Sequence, residues 1–288
     1  MPGRRIGLFV ILLAGLLMVP ATGLSDHEPG HSGACFGPTS TDDAPLDGWT
    51  IVIDPGHGGV DPGAVNEGVA EAEHALTISN LLREELRASG ARICQTRTAD
   101  EYLSLADRAA FANRQDGDML ASIHLNSFLD PDVNYTMPMW DSGRADRRLA
   151  EMVLRPLETD LAETPEGEAT TINAGRVAQF SSEMLRDADM PAIIVEGTFL
   201  SNRWEVEALE DGEWRHRQIA RAVHEGIVAY SQRPPMLLRA TMPAFDAADF
   251  GVRGLSYWLR ESGAGGARFV ASGVYLLSWR EPLRLFGV

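Results

Sequence analysis

The stretch DPGHGG, residues 54–59, places one histidine, His57, among Gly56, Gly58 and Gly59. A histidine used for packing gains nothing from bare neighbours, whereas one that must be approached by another group does. Three more side chains with usable chemistry stand in telling contexts. His124 lies in ASIHLN, Glu196 follows an apolar run in PAIIVEGTF, and Glu71 opens EAEHALTIS. An unpaired carboxylate behind an apolar run is expensive to bury, so Glu196 either pairs with an arginine or has a task. Two histidines and a carboxylate can hold a catalytic metal with one position open, and a further carboxylate can act beside it as general base.

These side chains are far apart in the chain, so secondary structure has to gather them. Residues 50–53 form a β-branched run; 71–89 carry Ala75, Ile78, Leu81, Leu82 and Leu86 at helical spacing and stop before Gly90. Strands are predicted over 91–96, 119–125 and 191–198, and helices over 103–115, 144–163 and 213–231, with Pro156 kinking or breaking the third helix. A further strand over 135–140 is restricted to a sheet edge by Pro138. This alternation implies an α/β fold: an open, mostly parallel twisted sheet with helices on both faces. In such sheets the carboxyl ends of the strands line the ligand crevice. His57, His124 and Glu196 each follow or end a strand there, and Glu71 starts the helix on the same edge. The gathered set suits a catalytic zinc.

Five segments in order, DPGHGGVDPGA, EAEHALTIS, QTRTADEYLSLADRAAFAN, SIHLNS and MPAIIVEGTFLSN, resemble the motifs of zinc-dependent N-acetylmuramoyl-L-alanine amidases of the bacterial cell-wall amidase type 3 family. The likeness covers residues 50–230, and ordered motifs are far more specific than any one alone. It implies a phosphorylase/hydrolase-like sheet, Zn2+ held by His57, Glu71 and His124, and Glu196 as catalytic carboxylate. The implied reaction is hydrolysis of the amide between N-acetylmuramic acid and L-alanine in peptidoglycan. Glu73 could exchange roles with Glu71; Glu71 is preferred because Leu76 then falls on the family's apolar helix position. Ala75 replaces the family's usual asparagine and Thr198 its usual glycine, and neither change removes a ligand. Residues 130–175 match poorly and are too few for the long inhibitory helix of division-associated members. Two rival readings fit the same residues: a non-catalytic muropeptide-binding or scaffold protein, and a zinc peptidase cutting another stem-peptide bond.

Asp54 and Asn126 are candidates to orient the ligands or contact substrate, or simply to cap a turn or strand. Arg97 and Arg108 are expected to pair with acidic neighbours. His74, His216 and His224 fall on predicted helices as surface or packing residues.

The 288-residue chain has a formal net charge of -16 and no lysine, which excludes the electrostatic footprint of a nucleic-acid binder. An acidic surface also repels an anionic wall polymer, so local basic patches or an activator protein are expected to assist binding. Arg4 and Arg5 precede an apolar run over 6–19 and small residues at 21–23, the layout of a signal peptide over 1–23. A retained anchor is the alternative, although the run is shorter than a span of about 20 residues. With the signal removed, the mature chain has no stable membrane span and works in the periplasm or cell envelope. The general secretory route is favoured, and the paired arginines also allow twin-arginine export. Residues 24–48 read as a flexible linker, 49–232 as the catalytic domain, and 236–288, beyond Pro234 and Pro235, as a C-terminal extension of unassigned role. Cys35 and Cys94 are either a disulfide or two free buried thiols; no spacing ties them to a metal.

Overall fold

The computed structural model describes residues 32–40, 43–141 and 143–232. The expected signal peptide over 1–23, the start of the expected linker and the expected extension over 236–288 lie outside the described residues.

A seven-stranded sheet forms the centre. Its parallel middle comprises β5 (Arg92–Gln95), β2 (Thr50–Pro55), β6 (Met119–Asn126) and β9 (Ala192–Phe199). β1 (Ala34–Phe36) runs antiparallel on one side; β7 (Met137–Trp140) runs antiparallel to β9, with β8 (Ala178–Gln179) outside it. A short hairpin, β3 (Val65–Asn66) and β4 (Val69–Ala70), leads into the first helix.

Alternation along each strand divides the core between two faces. Ile51, Ile53, Met119, Ala121, Ile123, Ile193 and Val195 join the larger cluster. There they pack with Ile78, Leu82 and Leu86 of α1 (Glu71–Ala88), Leu149 and Val153 of α3 (Arg144–Asp160), and Ile219, Val223 and Ile227 of α5 (Trp214–Ser231). Val52, Leu120 and Ile194 point the other way, toward Phe111 and Ala112 of α2 (Leu105–Arg114) and Met184 and Leu185 of α4 (Glu183–Asp187). The fully buried parallel strands therefore read as near-continuous apolar runs. The fold is the open α/β sheet expected.

Three expectations need correction. The described part of the linker over 24–48 is folded: β1 adds to β5, Leu46 is fully buried, and Cys35 is bonded to Cys94. Its Gly and Pro content masked a three-residue edge strand whose stability comes from the neighbour and the cross-link. Pro138 does not confine its strand to the edge, because β8 lies outside β7. Arg176 and Phe180 donate backbone N–H groups to the carbonyls of Thr136 and Trp140, so Pro138, on the same side, directs its missing donor toward this two-residue strand and not into the main ladder. Finally, α3 runs through Pro156 without breaking and ends at Asp160.

Candidate metal centre and active site

β2 ends at Pro55, and the chain then turns sharply, with His57 at φ 59°. A non-glycine residue in this left-handed region must be held there. Two buried arginines supply the grip. Arg97 donates to the carbonyls of Pro55 (3.0 Å), Gly56 (2.7 Å), Ala72 (2.8 Å) and Ala99 (3.0 Å). Arg108 donates to the carbonyls of Pro55 and His57, both at 2.7 Å, and to Asp54 Oδ1 at 2.8 Å. Among the described residues the expected acidic partner exists for Arg108 but not for Arg97, whose hydrogen bonds go to backbone carbonyls. Burial, with the nearby Arg108 charge, brings Arg97 down to about 10.

Glu71, the first residue of α1, is buried and bridges both histidines. Its Oε1 accepts from His124 Nδ1 at 2.8 Å and lies 3.1 Å from His57 Nε2; Leu125 N donates to the same oxygen at 3.1 Å. Oε2 accepts from Ala64 N at 2.9 Å. The three residues offer ligand atoms that all lie within 4.8 Å of one another. Among the described residues they are the group so arranged. Glu73 is exposed, which leaves Glu71 as the carboxylate in the cluster.

The glycines have a closer purpose than approach by substrate. A Cβ on Gly56 would sit 2.3 Å from the His124 ring, and one on Gly63 would sit 2.5 Å from Glu71 Oε2 and 2.6 Å from the His57 ring. They clear space for the cluster itself.

Charge is concentrated here. Burial disfavours the His57 cation, but hydrogen bonds and charge from Glu71 and Asp61 outweigh it and raise this imidazole to about 9. His124 is also raised: burial opposes, while Glu71 and the charge of Glu196 prevail. Burial opposes the Glu71 carboxylate as well, yet both imidazoles hold it well below its ordinary value. Two imidazole nitrogens aimed at one carboxylate oxygen form a donor set suited to a cation, and two histidines with one carboxylate match a zinc set.

Glu196 is the register partner of His124 across β6 and β9. Its Oε2 is buried and has no hydrogen-bond partner among the described residues, and no arginine there pairs with it. Burial pushes its carboxyl up to about 7, the His124 charge pulling against this and Glu71 adding to it. A carboxyl so placed can hold or release a proton near neutrality.

The other candidates resolve differently. Asp54 accepts from Thr96 Oγ1 and Ser122 Oγ, both at 2.6 Å, and from Arg108; it locks strands together and is linked to the His57 carbonyl through that arginine. Asn126 caps the turn after β6 by accepting from Ser127 N at 2.8 Å, and its side chain makes no hydrogen bond to the three cluster residues among the described residues. Asp61 was not singled out by sequence, yet its Oδ2 lies 2.8 Å from His57 Nδ1. The available signal was a carboxylate four residues after His57, followed by Pro-Gly. His74 and His216 are buried together, with Nδ1 of the first 2.8 Å from Nε2 of the second.

The family described as N-acetylmuramoyl-L-alanine amidase, Amidase_3, matches residues 51–229. The chain belongs to this family. Among its amidase relatives, LytC of Bacillus subtilis (strain 168) is 32% identical over 189 residues, covering 65% of this chain and 36% of LytC. AmiC of Neisseria meningitidis is 28% identical, covering 62% of this chain and 52% of AmiC. The chain thus spans about a third to a half of these relatives' length. The amidase fold is also matched by AmiC2 of Nostoc punctiforme, with TM-score 0.57, 31% identity, and coverage of 64% of this chain and 98% of that chain. CwlD amidase from Clostridioides difficile, solved in complex with the GerS lipoprotein, gives TM-score 0.57 at 28% identity, covering 64% of this chain and 98% of CwlD. The matched part contains every residue of the cluster.

Proposed function

We propose that this protein hydrolyses the amide joining N-acetylmuramic acid to L-alanine in peptidoglycan, with zinc held by His57, Glu71 and His124. The observation that carries this reading is Glu71 bridging the two histidines, with the buried, unpartnered Glu196 oxygen on the neighbouring strand. Zinc, when bound, supplies a Lewis acid that polarises the scissile carbonyl and acidifies a water molecule. Glu196 takes the proton from the attacking water. The same carboxyl then hands that proton to the departing alanine nitrogen, a double duty that a value near neutrality favours. Glu71 stays ionised throughout, and Arg97 and Arg108 keep the His57 turn fixed, so no backbone rearrangement is needed during reaction.

The protein is proposed to act outside the cytoplasm after export, in cell-wall remodelling. Among the described residues, no helix is long and apolar enough to cross a membrane. A protein activator is also proposed, on the likeness to CwlD, which was solved with a lipoprotein bound.

The test is mass spectrometry of soluble products released from purified peptidoglycan. The proposal expects stem peptides with a free L-alanine amino group, absent after chelation and restored by zinc. Peptides cut at another bond, or release indifferent to chelation, would contradict it.

A further inference from the structure

We propose that Asp61 is a positioning residue for the metal centre: it fixes the His57 ring so that Nε2 is the nitrogen offered to the ion. This rests on the zinc reading above. His57 Nδ1 lies 2.8 Å from Asp61 Oδ2, while Nε2 faces Glu71 at 3.1 Å. An imidazole has one nitrogen for each direction. With Nδ1–H donated to the carboxylate, the tautomer is set and Nε2 carries the lone pair toward the cluster.

The aspartate is itself held. Gly63 N donates to Asp61 Oδ1 at 3.1 Å, and the backbone of Asp61 exchanges hydrogen bonds with Gly58, at 2.8 Å and 3.2 Å. The turn closed in this way carries Ala64, whose N–H fixes Glu71 Oε2. One short segment, residues 61–64, therefore orients two of the three cluster residues, His57 through a side chain and Glu71 through a backbone amide. Arg97 and Arg108 hold the backbone of this left-handed turn, and the Asp61 carboxylate adds a constraint on the His57 ring itself.

Replacing such a partner of a metal-binding histidine lowers metal affinity by about 10- to 100-fold. The experiment measures zinc affinity by competition with a chromophoric chelator, together with the visible spectrum of the cobalt-loaded protein, for wild type, Asp61→Ala, Asp61→Asn and Asp100→Ala. Asp100 accepts from Gly59 N at 2.7 Å, so it braces the same loop without touching His57.

Asp61→Ala is expected to weaken zinc by about 10- to 100-fold and alter the cobalt spectrum. Asp61→Asn keeps an acceptor oxygen and is expected to fall between Ala and wild type. Asp100→Ala is expected to bind nearly as wild type. Equal affinity and spectra for wild type and Asp61→Ala would overturn the inference while leaving the amidase reading intact. Equal losses in Asp61→Ala and Asp100→Ala would overturn it too, by showing general loosening of the loop. A wild-type protein that binds no zinc would remove the amidase mechanism and this inference together.

Discussion

Glu196 and His124 face one another as register partners on adjacent parallel strands, so the proposed base and one proposed ligand are fixed by the same β-ladder. Their relation is a property of the sheet, not of a mobile loop. The Glu196 carboxyl is held up to about 7 by burial, and only its ionised form can accept a proton. Turnover is therefore expected to rise with pH as this group ionises. A bound dication adds positive charge nearby, so the midpoint should fall at or below about 7. A rate independent of pH between about 5 and about 8 would contradict the role given to Glu196.

The His57 turn depends on Arg97, whose buried guanidinium serves four backbone carbonyls. Arg97→Met keeps much of the bulk but leaves buried acceptors without donors. A loss of at least about 3 kcal/mol in unfolding free energy is expected from urea titration of metal-free protein. A loss below about 1 kcal/mol would mean that water or Arg108 replaces the lost donors.

Much of this arrangement is legible in the sequence, because the relevant signals are local. The apolar runs before His57, His124 and Glu196 mark parallel strands, and the carboxyl-edge rule then gathers their ends. Helical spacing after Glu71 puts that carboxylate on the same edge. Asp61 stays hidden because its partner is decided by the positive φ of His57, which is enforced by Arg97, 41 residues beyond the Gly56 carbonyl it holds, and by Arg108, 51 residues beyond His57. β1 stays hidden for a related reason: three residues carry too little pattern to announce a strand whose stability is borrowed from β5 and a disulfide.

The Cys35–Cys94 bond joins β1 to β5 across a sequence separation of 59 residues. Closing such a loop restricts the unfolded chain. Cys35→Ser/Cys94→Ser is expected to lose about 2–4 kcal/mol of stability, with metal binding kept because neither cysteine touches the cluster. Calorimetry with metal analysis on the same sample checks both parts.

His216 gives the fold an acid-sensitive element. Burial pushes it down to about 4, and the neighbouring His74 charge adds to that; burial lowers His74 as well. Between about 4 and the ordinary value near 6.5, the unfolded chain binds a proton that the fold does not accept. Stability is therefore full above about 6.5 and is lost as pH falls toward about 4, by up to about 3 kcal/mol. His216→Gln should flatten this part of the profile in denaturant titrations of metal-free protein. An unchanged slope would show that His216 is protonated in the fold.

Zinc content and turnover, measured together on single preparations of wild type, His124→Ala and Glu196→Gln, test the central claim most directly. The expected result is one zinc and full turnover in wild type, loss of both in His124→Ala, and retained zinc in Glu196→Gln with turnover reduced by at least about 100-fold. Near-normal turnover in Glu196→Gln, or undiminished zinc in His124→Ala, would contradict the assignment of base and ligands.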